Sequence, residues 1–122
     1  MIHTRAYIIN ITLCLSVLFV ASCGKQHTAE QTVKDFVAQN MQEGVETKRL
    51  GFGDLGTTRH INDSLVAQMR KKGAELFKSG IAYGQVPTGE VYYLRTKYLH
   101  QGDTLQNTFY LDSELKEVIA FK

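Results

Sequence analysis

Hydrophobic and polar positions follow three different spacings along the chain. Residues 6–21 form an almost unbroken run of apolar and weakly polar side chains. Apolar positions then recur at helical spacing in two segments, 28–43 and 62–79, and from residue 91 onward they alternate with polar positions. The pattern after residue 27 therefore predicts an α+β fold, in which two helices pack on one face of an antiparallel β-meander sheet.

The ends of the two predicted helices carry recognisable signals. Thr28 and Gln31 have the spacing of a capping box, which predicts that the first helix begins at Thr28. The second helix is expected to begin at Asn62 or Asp63, because both residue types are good N-caps. Gly80 is placed to end it.

A β-hairpin is the clearest structural signal in the last third of the chain. Two alternating segments, 91–100 and 104–112, flank residues 102–103, a Gly-Asp pair that favours a two-residue turn. A turn at that position pairs Leu94 with Leu111 and keeps apolar and charged residues on separate faces. We expect the face that carries Leu94, Phe109 and Leu111 to be buried. The face that carries Arg95 and Lys97 should be exposed.

Residues 1–22 are typical of a cleaved signal peptide. Arg5 is the only charged residue among them, and the apolar run has 16 residues, fewer than the about 20 that a membrane-spanning helix needs. The segment ends in Val-Ala-Ser-Cys at residues 20–23, which resembles the lipobox of bacterial lipoproteins. The resemblance implies cleavage before Cys23 and attachment of lipid to its thiol.

Cleavage at that position divides the chain into three regions. We expect a lipoprotein signal peptide over 1–22, a short lipid-anchored tether over 23–27 and a single α+β domain over 28–122. Cys14 leaves with the signal peptide, so the domain would contain no disulfide. The expected location is the bacterial cell envelope, with palmitate and other acyl chains at Cys23 holding the protein in the outer membrane, facing the periplasm.

Charge narrows the choice of partners. Loss of the signal peptide lowers the formal net charge from +2 to +1, which argues against a nucleic-acid partner. The densest basic cluster, residues 70–72 with Lys78, is interpreted as a solvated helix face, with contact to anionic headgroups as the alternative. Tyr93 and Tyr110 fall on the charged face of the hairpin, where they either cover the sheet or mark a binding surface.

Motifs for catalysis or cofactor binding are weak. Residues 51–56 read Gly-x-Gly-x-x-Gly, but a dinucleotide site also needs a buried strand before the motif and a helix directly after it. The motif overlaps a predicted extended segment, 47–55, with Leu50 and Phe52 on the same side, so a bulged strand or loop is the better interpretation. We predict no catalytic, cofactor-binding or metal-binding residue, and lipidation of Cys23 as the one functional site.

Several segments together resemble a group of small lipoproteins from Bacteroidetes that have no assigned activity. They are the lipobox at 22–24, the helix start at 32–36 and the strand segments at 93–98, 109–112 and 118–119. The resemblance implies a helix-plus-curved-sheet domain similar to the cystatin-like and nuclear-transport-factor-2-like folds. The Gln-x-Val-x-Gly pattern of cystatin inhibitors is not met, because residues 85–89 read Gln-Val-Pro-Thr-Gly.

Two functions remain open from the sequence. The first is a non-catalytic module that binds an envelope protein or a small ligand close to the membrane. The alternative is a small enzyme of the nuclear-transport-factor-2-like kind, with an apolar pocket that holds a carboxylate or tyrosine of shifted pKa. For that alternative the candidates are Asp54, Tyr98 and Tyr110.

Overall fold

The structure, a computed structural model, describes residues 24–122. The predicted signal peptide and Cys23 lie outside these residues. Two helices and five strands follow one another along the described chain: α1 (24–40), β1 (Lys48–Phe52), β2 (Gly56–Thr58), α2 (Asp63–Lys72), β3 (Val91–His100), β4 (Asp103–Leu111) and β5 (Val118–Phe121).

All five strands belong to one antiparallel sheet. Its order is β1-β3-β4-β5, and the short β2 lies beside the first residues of β3, on the same edge as β1. Strands β3, β4 and β5 form the meander that the sequence predicts. The predicted α+β arrangement of two helices and an antiparallel sheet is therefore confirmed.

The hairpin of β3 and β4 has the predicted faces but a different register. Leu94 pairs with Phe109 rather than Leu111, and the turn consists of Gln101 and Gly102, with φ of 49° and 84°. Two-residue hairpin turns of type I′ need positive φ at both central positions, which this pair supplies. A shift of two residues leaves every side chain on its own face, so the hydrophobic pattern does not distinguish the two registers.

The first face of the sheet forms the main core with α1. Leu94, Phe109 and Leu111 are fully buried as expected, while Arg95 and Lys97 on the other face are exposed. Aromatic rings contribute most of the contact across this core. The Phe36 ring of α1 meets the ring of Phe109 edge-on at 5.8 Å and that of Phe121 at 5.7 Å.

Helix α2 lies on the opposite face, so the prediction that both helices share one face is wrong. A second apolar cluster on that side contains Val91, Tyr110 and Ile119, and it is covered by Ile61 and Met69. These sheet residues need their own cover, because α1 and the segment 74–83 already occupy the first face. The chain therefore crosses the second face between β2 and α2.

The helix ends differ from the sequence signals in two places. Asn62 caps α2 as expected, its side chain accepting a hydrogen bond from the Leu65 amide at 2.9 Å. The helix stops at Lys72 instead of Ser79, because Gly73 takes φ +59° and turns the chain. Segment 74–78 then returns to the end of α1.

Helix α1 includes the residues expected to form a tether. Residues 24–27 are helical, and the Thr28 hydroxyl donates to the carbonyl of Gly24 at 2.8 Å instead of capping a helix. Gln26 fastens this first turn to the loop between β1 and β2. Its side chain donates to the Gly53 carbonyl at 3.0 Å and accepts from the Leu55 amide at 2.8 Å.

Candidate functional site

A cavity of about 820 Å³ opens between the C-terminal end of α1, the loop 41–47 and strand β1. One wall is apolar and consists of Val37, Ala38 and Met41. The rest of the lining includes four charged side chains, namely Glu43, Glu46, Arg49 and Lys78. The cavity lining therefore combines apolar and charged side chains.

Hydrogen bonds hold the walls of this cavity in place. The Gln42 amide donates to the Leu76 carbonyl at 2.9 Å, and its side chain donates to the carbonyls of Glu75 and Phe77. The Lys78 amide donates to the Asn40 carbonyl at 2.8 Å. Segment 74–78 is thus tied to the end of α1, and the cavity rests on a rigid support.

Arg49, which lines the cavity, and its neighbour Tyr98, which does not line it, each have a polar atom without a partner among the described residues. They face each other across β1 and β3 in the antiparallel register. Tyr98 is only 1% exposed. The Arg49 Nε and the Tyr98 hydroxyl are both buried, and neither has a hydrogen-bond partner among the described residues. A buried donor without a partner costs about 1–3 kcal/mol, so two of them side by side are unusual.

The electrostatics of the pair make both groups hydrogen-bond donors. Burial raises the pKa of Tyr98 far above its usual value, and the positive charge of Arg49 lowers that pKa by a smaller amount. The phenol therefore keeps its proton at physiological pH. The Arg49 guanidinium lies over the Phe52 ring at 5.5 Å, which fixes its position at the cavity wall.

A β-bulge explains why the sequence did not predict Arg49 at this site. Arg49 pairs with Tyr98 and Gly51 pairs with Lys97, so residue 50 is an extra residue in β1. The bulge puts Arg49 and Phe52 on the same face of the sheet, where simple alternation puts Leu50 and Phe52. The signal that could have located it is the glycine at position 51, since glycine in a strand often marks a bulge.

The three tyrosine and carboxylate candidates do not come together. Tyr98 points into the first face of the sheet, whereas Tyr110 belongs to the cluster on the second face. Asp54 is exposed in the loop between β1 and β2. Of the three, only Tyr98 lies beside another polar group without a partner, so it is the candidate that the geometry retains.

The glycine motif at 51–56 serves packing. It covers the end of β1, the following loop and the start of β2, and the Gly53 amide donates to the Arg95 carbonyl at 2.9 Å. Gly56 lies directly against Tyr93, and a Cβ there would clash with the ring carbon Cζ. The interpretation as a bulged strand and loop is confirmed.

The basic cluster of the second predicted helix is divided between two structural roles. Arg70 donates to the carbonyls of Ile119 at 2.9 Å and Gly84 at 2.7 Å, and its guanidinium lies over the Tyr83 ring. The Lys78 ammonium donates to the Gln39 carbonyl at 3.2 Å. Two of the four cations therefore hold the chain together, which leaves Lys71 and Lys72 as the freely solvated ones.

No protein-family model matches the chain, and neither a curated protein nor a solved structure matches it. Within residues 24–122, no three His, Cys, Asp or Glu side chains are grouped so that they could hold a metal ion. The helices of that part of the chain are too short or too polar to cross a membrane. The predicted lipidation site, Cys23, lies outside the described residues.

Proposed function

We propose that the protein is a lipid-anchored, non-catalytic binding module of the bacterial cell envelope. Cys23 carries the lipid and holds the protein in the outer membrane, facing the periplasm. The cavity beside Arg49 binds the carboxylate or phosphate group of a small ligand or of an envelope protein. The observation that carries this proposal is the pair of buried donors, Arg49 and Tyr98, that have no partner within the described fold.

The chemistry of the pair favours an anionic acceptor. A guanidinium offers donors in a fixed planar arrangement that fits a carboxylate or phosphate, and Arg49 is the residue of the pair that lines the cavity. A hydrogen bond to a charged group contributes about 1.5–3 kcal/mol. Binding that gave the Arg49 side chain an acceptor would also remove the cost of leaving it unpaired, so the ligand gains from both effects.

The apolar wall and the acidic rim restrict the ligand further. Val37, Ala38 and Met41 provide contact for a hydrocarbon portion. Glu43 and Glu46 are exposed at the rim, where they would repel a second negative charge. A ligand with one anionic end and an apolar body therefore fits better than a polyanion.

Binding is a better proposal than catalysis for this cavity. A general base must be able to accept a proton near the working pH, and Tyr98 already holds its proton there. The enzyme alternative would have to use Tyr98 as an acid or as a donor to a developing oxyanion. The exposed rim carboxylates are not held close to it by any hydrogen bond among the described residues.

The test is a titration of the lipidated protein in detergent micelles with simple anions, followed by ¹⁵N NMR of arginine Nε–H groups. The probes are acetate, hexanoate, succinate and inorganic phosphate. We expect hexanoate to shift the Arg49 signal most, and Arg49→Gln to weaken that binding at least tenfold. Arg59→Gln is the matched control, because Arg59 is exposed and only 3.8 Å from Glu90. Equal binding by the two variants, or shifts confined to other residues, would overturn the proposal.

A further inference from the structure

The second face of the sheet carries an exposed basic surface next to α2, whose residues share a cavity lining with Lys122. Four exposed cations on this side define what we call the basic sheet face: Lys48 on β1, Arg95 and Lys97 on β3, and Lys122 beside β4. The sequence predicts that Arg95 and Lys97 are exposed, on a face where Tyr93 and Tyr110 either cover the sheet or mark a binding surface. The fold adds Lys48 and Lys122 to the same side.

Strand pairing determines which side chains share this face. Lys48 pairs with Leu99, and Arg95 pairs with Thr108. Thr108 in turn exchanges backbone hydrogen bonds with Lys122, at 2.8 and 3.0 Å. Directly opposed residues point to the same side of a sheet, so all four cations belong to one surface.

Acidic side chains are missing from the strand positions around these cations. On β1, β3 and β4 as the structure describes them, the second-face positions hold no aspartate or glutamate. The neighbours are neutral, namely Leu99, Thr104, Gln106 and Thr108. The Arg95 guanidinium is held over the Tyr93 ring at 5.6 Å. No ion pair within the described fold neutralises its charge.

The start of α1, which packs on the first face, lies at the β1 and β2 edge of the sheet, close to Arg95. Gln26 is bonded to Gly53 and Leu55, and the Gly53 amide is bonded to the Arg95 carbonyl. Gly24, the first described residue, belongs to the same helical turn as Gln26, so a lipid on the residue before it would be attached at this end of α1. A lipid on Cys23 would therefore bring the bilayer surface to the β1 and β2 edge of the sheet.

We propose that the basic sheet face rests on the headgroups of anionic phospholipids. This inference rests on the lipid anchor at Cys23 proposed above, but not on the ligand cavity. Lys and Arg near a bilayer are attracted to negatively charged lipids, and this attraction acts within about 8–10 Å at physiological salt. Arg49 and its cavity are on the first face, so they open away from the bilayer in this orientation.

The test measures the reactivity of individual lysines in the lipidated full-length mature protein. The protein is reconstituted into vesicles of phosphatidylcholine alone or with one third phosphatidylglycerol, and exposed amines are acylated and quantified by mass spectrometry. We expect Lys48 and Lys97 to react at least threefold more slowly in the anionic vesicles. Lys116 is the internal control, because it lies beside α1 on the other face with a side chain that is 74% exposed.

The outcomes separate the two proposals. A protein mass without acyl chains would overturn the anchor and, with it, the inference about the face. A lipidated protein whose Lys97 reacts equally fast in both kinds of vesicle would overturn the inference and leave the anchor standing. Protection that is the same for Lys116 and Lys97 would also overturn it, because the effect would not be specific to this face. Raising the salt to about 1 M should abolish the difference if it is electrostatic.

Discussion

Arg49 and Tyr98 lie directly opposite each other on neighbouring antiparallel strands, and each buries a polar atom that no described residue satisfies. One residue pair further along, on the same face, Thr96 is equally buried but donates its hydroxyl to the Gly51 carbonyl at 3.1 Å. The fold therefore provides an acceptor for the Thr96 hydroxyl, while the Tyr98 hydroxyl has none among the described residues. That difference allows a controlled comparison.

Removing the two hydroxyls should change stability in opposite directions. Tyr98→Phe is expected to raise the free energy of unfolding of the ligand-free protein by about 1 kcal/mol, because it removes a buried group without a partner. Thr96→Val, the matched control, is expected to lower it by about 1 kcal/mol, because it deletes a satisfied hydrogen bond. Urea unfolding followed by far-ultraviolet circular dichroism measures both. A loss of stability in Tyr98→Phe would mean that its hydroxyl has a partner.

Stability should also fall in alkaline solution because of Tyr98. Its pKa is raised in the folded state, so above about pH 10 the unfolded chain loses the phenolic proton while the folded protein keeps it. The contribution is fully present below the unfolded pKa and decreases as the pH rises above it, with a slope of at most about 1.4 kcal/mol per pH unit for this group. Burial also raises the pKa of Tyr83, which adds to the slope.

The comparison of wild type with Tyr98→Phe isolates the Tyr98 contribution. Between pH 9 and 11, the free energy of unfolding should fall less steeply with pH in Tyr98→Phe than in wild type. Tyr83→Phe measures the contribution of the second phenol in the same way. An identical slope in wild type and Tyr98→Phe would contradict the assignment.

The hairpin turn should respond to substitutions at its two positive-φ residues. Gln101 takes φ of 49°, a conformation that asparagine and glycine adopt at lower cost, so Gln101→Asn should stabilise the protein by about 0.5–1 kcal/mol. Gly102→Ala, at φ 84°, should destabilise it by about 1 kcal/mol. Thermal unfolding measures both changes. If the turn were at Gly102 and Asp103 instead, Gln101→Asn would have little effect.

Lipidation of Cys23 makes a prediction that is independent of the fold. Cells given labelled palmitate should incorporate it into the native protein, and Cys23→Ala should abolish that labelling and leave the signal peptide uncleaved. Ser22→Ala is the control, because it keeps small residues before the cysteine. Label on the Cys23→Ala variant would place the lipid elsewhere.

The sequence predicted which residues face the core better than it predicted where the elements meet. Alternation assigned Leu94 and Arg95 to opposite faces correctly, because solvent and core select side chains one residue at a time. The predicted hairpin register was wrong because a shift of two residues preserves that alternation. The predicted position of α2 was also wrong, because its apolar stripe fits either face of the sheet. Which face still needs cover depends on the rest of the chain.

The sequence did not predict the candidate site because the site depends on how two strands pair. Sequence analysis considered Tyr98 because of its residue type, but it gave no role to Arg49, which falls within the predicted extended segment 47–55. Their proximity depends on the bulge at residue 50, which Gly51 signals, and on the antiparallel pairing of β1 with β3, which local spacing does not encode. Long-range pairing of this kind is set by tertiary packing.

The bulge in β1 has a consequence for how this surface could change over evolution. Lys48 and Arg49 are adjacent in the chain and point to opposite sides of the sheet, and the extra residue shifts the phase of the strand beyond them. Deleting that one residue would restore continuous pairing of β1 with β3. Either Arg49 or Phe52 would then point to the opposite face of the sheet. The length of a five-residue strand, more than the identity of any side chain in it, thus decides whether the guanidinium faces the interior beside Tyr98 or the outer surface beside Lys97.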